Sequence, residues 1–286
     1  MDARLQRRIQ RYGWDLAAAH YEPLWRGQLA EAQDALLARA ALAPGERVLD
    51  VACGTGLVAL AAADTVGASG RVVGVDLSGR MVEVARERAR ARGLPGARFA
   101  RMDAERLVLG DASFDVVTCA LGLMYVSDPA RALAEMTRVL RPGGRLVLAV
   151  WGDRARCGWS AVFRIVDAEV ASDVCPLFFR LGQDDALARL CADAHLVDIE
   201  SHRFASTLAY GDADEACGAA FVGGPVALAW SRFGDEVRAR VCQRYLEAIE
   251  PWRDERAYRL PGEFVVVAAR KPDDVASARA RPGGNR

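Results

Sequence analysis

The stretch VLDVACGTGLVALAAA, Val48 to Ala63, constrains the fold more than any other part of the chain. An apolar run broken by one carboxylate, then a glycine turn, then apolar residues at helical spacing predict a buried strand, a tight turn and a helix packed back on the strand. A strand this apolar is covered on both faces, which points to a parallel sheet inside an α/β fold. Gly54-Thr55-Gly56-Leu57-Val58-Ala59 also satisfies the G-x-G-x-x-G/A pattern of a nucleotide-binding turn. An adenosine cofactor is therefore the first ligand class to weigh.

The alternation continues downstream. Strands are expected at Arg71 to Asp76, Ala97 to Met102, Phe114 to Ala120 and Arg145 to Trp151, with helices near 57 to 66, 78 to 92 and 129 to 140 between them. Pro142-Gly143-Gly144 reads as the turn feeding the fifth strand. The predicted fold is a Rossmann-like, doubly wound, mostly parallel sheet with a helical cap. Residues 1–42 read as an N-terminal helical lid and 43–152 as the cofactor-binding core. Residues 153–271 hold the last two strands, near 196 to 204 and 261 to 270, with helical insertions near 183 to 194, 212 to 222 and 234 to 249. Residues 272–286, rich in Ala, Arg, Pro and Gly, read as a disordered tail.

Composition narrows the partners. Basic and acidic residues balance at 38 each, so no long-range field draws the chain onto nucleic acid or an anionic membrane. The longest uncharged run, Ala216 to Ser231, is too short to span a bilayer, and no signal-peptide pattern opens the chain. A cytoplasmic protein with a small-molecule partner is expected, and homo-oligomerisation is compatible with this. Seven cysteines without a C-x-x-C pair argue against a disulfide framework or a zinc ribbon. Lys271 is the only lysine, which disfavours Schiff-base chemistry.

Ligands of an open parallel sheet sit beyond the carboxyl ends of the strands. Asp76 ends the second strand, where a carboxylate can accept both hydroxyls of a ribose. NAD and S-adenosylmethionine share that ribose. Asp50 discriminates between them, because a carboxylate before the turn repels a pyrophosphate and favours the ammonium and sulfonium of S-adenosylmethionine. The bland reading, compatible with this one, is that Asp50 caps backbone N–H groups of the loop.

VLDVACGTG, VVGVDLS, MDAE, FDVVTCALGLMYVSDP and EMTRVLRPGGRLVLAVW, in this order over about residues 40 to 152, resemble the successive motifs of class I S-adenosylmethionine-dependent methyltransferases. The likeness is nearest the ubiquinone/menaquinone-biosynthesis type and its small-molecule relatives. It implies that Asp50, Gly54, Thr55 and Gly56 hold the methionine end and Asp76 the ribose, with Leu77 and Met81 flanking the adenine. It further implies that Asp103 accepts from the adenine amino group, that Ala104 offers a backbone N–H, and that Ala120 and Leu121 line the cofactor beside the methyl group. A seven-stranded sheet with an antiparallel last strand is implied as well. Asp103 and Asp128 both have helix N-capping as a rival role, preferred here for Asp128.

The substrate side is read from aromatic residues over the strand ends: Tyr12, Trp14, His20, Tyr21, Trp25, Tyr125, Trp159, Phe163, Phe221 and Trp230. Each has core packing of the cap as its rival. Tyr21, in AAAHYEPLW, resembles the lid tyrosine of this family branch, and His20 is the imidazole nearest the expected acceptor, so these two are the candidate catalytic residues. His195 and His202 are expected to flank the sixth strand. No metal cluster is evident, and Cys157 and Cys175 do not match the pattern of arsenic-methylating relatives. The expected function is methyl transfer from S-adenosylmethionine to a small-molecule acceptor at an undetermined O, N, S or C atom. An NAD-dependent oxidoreductase and a non-catalytic cofactor-binding protein are the alternatives.

Overall fold

The computed structural model describes residues 3–170 and 178–273. Helix α1 (Ala3–Ala40) leads into strand β1 (Arg47–Val51), and helix α2 (Leu57–Val66) returns to β2 (Arg71–Asp76). Helix α3 (Gly79–Ala91), β3 (Ala97–Arg101), β4 (Phe114–Ala120), α4 (Pro129–Val139) and β5 (Leu140–Trp151) complete the alternating part. Then come α5 (Ala161–Val170), α6 (Ala186–Asp193), β6 (Val197–Tyr210), α7 (Ala213–Cys217), α8 (Ala227–Trp230), α9 (Asp235–Ile249), β7 (Arg253–Asp254) and β8 (Ala257–Arg270).

The sheet order is β3-β2-β1-β4-β5-β8-β6, with the two-residue β7 paired to β8 outside that path. β1 to β5 are parallel, while β8 is antiparallel to both β5 and β6. The strand order therefore reverses between β1 and β4, which is where such a sheet opens a crevice. β4 is buried along its length because side chains pack on both of its faces. One core joins Leu36 and Ala40 of α1 to Val48, α2, Ala85, Ala89 and Phe99; the other joins the opposite face of the sheet to α4, α5, α6 and the cap.

Where the sequence reading and the fold differ, local chemistry gives the reason. The lid is one helix that runs through Pro23. β5 begins at Leu140, which pairs with Phe114 across an irregularity between Phe114 and Val116, so the Pro142-Gly143-Gly144 turn lies inside the strand. β6 and β8 pair from Val197↔Arg270 to Tyr210↔Tyr258, well beyond the expected limits. Pro261 is tolerated in β8 because β5 reaches only as far as Phe264, so the sheet beside Pro261 is paired on one side alone. The helix expected over 212 to 222 splits into α7 and a π-helical turn, Gly218–Val222. Residues 274–286 of the expected tail lie outside the described residues. Among the described residues, no helix is long and apolar enough to cross a membrane.

Gly74 in β2 marks how tightly the sheet is filled beneath the glycine turn. A Cβ there would lie 2.5 Å from Phe99 Cδ1 and 3.0 Å from Cys53 Sγ. Gly74→Ala is expected to lower the free energy of unfolding by about 1–3 kcal/mol. Urea denaturation with an unchanged m-value checks this, and an unchanged midpoint would show that the contact relaxes freely.

Candidate active site

The turn after β1 is built from backbone that side chains disfavour: Ala52 (φ 57°), Gly54 (φ 52°) and Gly56 (φ 85°) are all left-handed. This turns the Gly54 N–H toward Asp76 Oδ2, at 2.9 Å. The other oxygen, Asp76 Oδ1, accepts from the Ser78 N–H at 2.8 Å. Ser78 in turn caps α3, accepting from the Met81 N–H at 3.1 Å, and its hydroxyl donates to Asp15 Oδ1 of α1 at 2.6 Å.

Helix α1 is fastened over the strand ends by further contacts of this kind. Arg7 Nη1 donates to Glu105 Oε2 at 2.8 Å, and Arg7 Nε lies 3.5 Å from Asp103 Oδ2. Glu105 is buried and also accepts from the Ser127 and Asp128 N–H groups. Arg88 of α3 pairs with Glu22 at 2.9 Å and donates to the Thr55 carbonyl at 2.9 Å. Gln28 exchanges two hydrogen bonds with the Ala209 backbone, at 2.6 and 2.9 Å.

Between α1 and the strand ends lies a cleft with about 1020 Å³ of empty space, counting the solvent in its mouth. Gly54, Asp76, Leu77, Met81, Asp103, Ala104, Ala120 and Leu121 line it, as do Trp14, Tyr21, Trp25, Tyr125 and Trp159. The sequence reading named all of these. Others it named stand elsewhere. Thr55 is buried, and a Cβ on Gly56 would meet Ala85 and Phe99 at 3.2–3.3 Å, so both serve the packing of the turn. Asp50 is not on the cleft wall. It shares the α2-facing side of β1 with Val48, 1% exposed, where Oδ1 accepts from Thr118 Oγ1 at 2.9 Å and the Ala59 N–H of α2 also bonds to the carboxylate.

His20 is a correction to the reading of the lid. It is exposed on the outer side of α1 and does not line the cleft, one residue and about 100° of helix away from Tyr21. Tyr12 is likewise exposed, and Phe163 and Phe221 are packed inside the cap, the latter stacked on Trp230. Asp128 caps α4, accepting from the Arg131 N–H, whereas Asp103 caps no helix; its Oδ1 accepts from the Glu105 N–H. His195 and His202 are exposed beside and on β6. Cys157 is buried and Cys175 lies outside the described residues. Among the described residues, no group of three or more His, Cys, Asp or Glu could hold a metal.

Sequence reasoning missed Arg7, Glu105 and Trp151 on the cleft wall. Trp151 carries a usable signal, since it ends a strand at the sheet's carboxyl edge. Arg7 carries none, because its role depends on a partner 98 residues away.

Burial sets the protonation of the site. Desolvation raises the Asp50 carboxyl to about 7, against the bonds from Thr118 and the Ala59 amide, and raises Asp76 to about 6, against the amides of Ser78 and Gly54. The Tyr21 phenol is pushed up by burial and by the nearby Asp76 and Asp50, so it keeps its proton and can act as a donor.

A methyltransferase domain model matches residues 49–148. The chain is 45% identical over 105 residues to the ubiquinone/menaquinone biosynthesis C-methyltransferase UbiE of Idiomarina loihiensis, a match covering 36% of this chain and 42% of that protein. It thus spans less than half the length of such curated relatives. Two solved structures share the fold more widely. The cyclase SpnF is 26% identical with a TM-score of 0.57, covering 85% of this chain and 81% of that one. Phosphoethanolamine N-methyltransferase 2 of Haemonchus contortus, in complex with S-adenosyl-L-methionine, is 18% identical with a TM-score of 0.59, covering 91% and 57%. The methyltransferase domain ends before Trp151 and begins after α1, so it contains the glycine turn and Asp76 but only part of the cleft wall.

Asp50 and Asp76 both titrate near 3.8 when exposed and higher when folded. Each holds its proton more tightly in the folded chain, so the ligand-free fold loses stability as pH rises from about 4, and the loss is complete above about 7. Asp50→Asn is expected to flatten this fall. Urea midpoints at pH 5 and pH 8 for both proteins measure it; an unaltered slope in the variant would place the titration elsewhere.

Proposed function

We propose that the chain is an S-adenosylmethionine-dependent methyltransferase acting on a small-molecule acceptor. The observation that carries the reading is the Asp76 carboxylate, set at the cleft wall by the Gly54 and Ser78 amides within a methyltransferase domain. It supports ribose binding. The nucleotide end also holds Asp103 and Glu105, and the arginine beside them is already paired to both. The three carboxylates of the cleft wall, Asp76, Asp103 and Glu105, and one engaged cation oppose a pyrophosphate, which weighs against the oxidoreductase alternative.

In this proposal Asp76 would take the ribose hydroxyls, Leu77 and Met81 would pack on the adenine, and Asp103 with Ala104 would meet its edge. Gly54 would lie against the methionine end, with Ala120 and Leu121 beside the reacting centre. When bound, the cofactor supplies an electrophilic methyl group. The chain's own task is then to hold the acceptor in line and keep water out. No histidine lines the cleft among the described residues, and Tyr21 is held protonated, so Tyr21 orients an acceptor by donating a hydrogen bond. His20, on the outer side, takes no part. The balanced charge supports a partner other than nucleic acid.

Calorimetry of S-adenosylhomocysteine in buffers of differing ionisation enthalpy tests this. Binding should release protons at pH 6, where Asp50 and Asp76 are partly protonated, and almost none at pH 8. His20→Ala should leave affinity and turnover unchanged. Binding of NAD as tight as that of S-adenosylhomocysteine would overturn the reading.

A further inference from the structure

Two thiols in the cap take no part in anything described so far. Of the six described cysteines, Cys53, Cys119, Cys157 and Cys191 are buried, while Cys217 and Cys242 are half-buried and reach solvent. These two meet where α7 packs on α9: Cys217 ends α7, Cys242 lies within α9, and their side chains are hydrogen-bonded to each other. The Cys217 thiol donates and holds Cys242 below the usual thiol range, against burial and the nearby Asp214. A thiol in that condition is the more nucleophilic of a pair at neutral pH, because its thiolate is the more populated.

We propose that Cys217 and Cys242 form a reversible oxidation site, at which a hydroperoxide converts the two thiols into a disulfide that ties the cap segment packed on α1 to α9. The site is independent of the methyltransferase reading and stands or falls without it.

The chemistry takes two displacements. The Cys242 thiolate attacks one oxygen of the peroxide; the S–O bond forms, the O–O bond breaks, and the departing oxygen leaves as water or alcohol once protonated, giving a sulfenic acid. Cys217, already in contact, then gives up its proton and attacks the Cys242 sulfur. The S–S bond forms, the S–O bond breaks, and hydroxide takes that proton and leaves as water. Two thiols have lost two electrons and the peroxide has gained them.

The two sides of the new bond differ in firmness. Helix α9 is fixed, with Val241, Tyr245 and Ile249 fully buried and Arg240 Nη2 2.7 Å from Glu169 Oε2 of α5. Cys217 instead opens into the π-helical turn Gly218–Val222, closed by the Gly223 N–H donating to the Gly218 carbonyl at 3.0 Å. Drawing hydrogen-bonded sulfurs to a bond length of about 2.05 Å needs a local shift, and this glycine-flanked turn is where the backbone can yield. The same segment abuts the lid: a Cβ on Gly223 would lie 3.0 Å from Leu24 Cδ1 and 3.3 Å from Trp25 Cδ1. Gly224 and Pro225, which follow, line the cleft. A disulfide at Cys217 therefore restrains a piece of the cleft wall and its contact with α1.

The test treats the reduced full chain with hydrogen peroxide and maps the product with trypsin, which places Cys217 in residues 204–232 and Cys242 in residues 241–244. One cross-link between those two peptides is expected, with the loss of two hydrogens and full reversal by dithiothreitol. Cys217→Ser should stop at a Cys242 sulfenic acid that dimedone captures, and Cys242→Ser should leave Cys217 a thiol at the same dose. In the oxidised chain, hydrogen exchange of residues 213–225 should slow several-fold. Should a variant fail to fold, the peptide map of the unaltered chain decides. A cross-link to any other cysteine, peroxidation of these thiols to sulfinic acid without a cross-link, or exchange at 213–225 untouched by the disulfide would overturn the proposal.

Discussion

Asp76 accepts the Gly54 N–H on one oxygen and the Ser78 N–H on the other, so the end of β2, the glycine turn after β1 and the start of α3 are pinned to a single carboxylate. The bonds only partly offset the cost of burying it, since its carboxyl still titrates near 6. Through the Ser78 hydroxyl the same arrangement reaches Asp15 and hence the helix that roofs the cleft. The turn cannot shift, nor α3 slide, without breaking a bond to a buried charge. Much of the cleft around the glycine turn inherits its geometry from this point.

The two halves of the cleft have different origins. The half around the glycine turn comes from residues 49–148, the segment shared with the domain model. The aromatic half comes from α1, Trp151, Trp159 and the Gly224-Pro225 segment after the π-helical turn, none of which is in that segment. Likeness to relatives therefore informs the first half and is silent on the second. That the cyclase SpnF shares the fold at a TM-score of 0.57 makes the same point from outside.

Much of this was legible because strand ends are legible. Asp76, Leu77, Asp103, Ala120 and Leu121 follow strands whose apolar runs mark where they stop, and all reach the cleft. The errors are errors of phase. Val48 and Asp50 are two apart on one strand and so share the face toward α2, away from the cleft. Trp14, Tyr21 and Trp25 are seven and four apart and so share a helix face, which leaves His20 turned aside. Periodicity could have settled both. The Arg7 contacts could not be read, because they depend on chain segments far apart in sequence.

Helix α1 is held down at Arg7, Asp15, Glu22 and Gln28, roughly two helical turns apart. Pro23 has no amide hydrogen, so the Ala19 carbonyl lacks its usual donor and the helix is weakest between the outer fastenings and the Gln28 anchor. A strap attached in this way comes off by peeling rather than by lifting, since peeling breaks its bonds one after another. Pro23 thereby divides the roof of the cleft in two: Arg7 and Asp15 sit over the Asp103 end, and Trp25, beyond the proline, over the aromatic end.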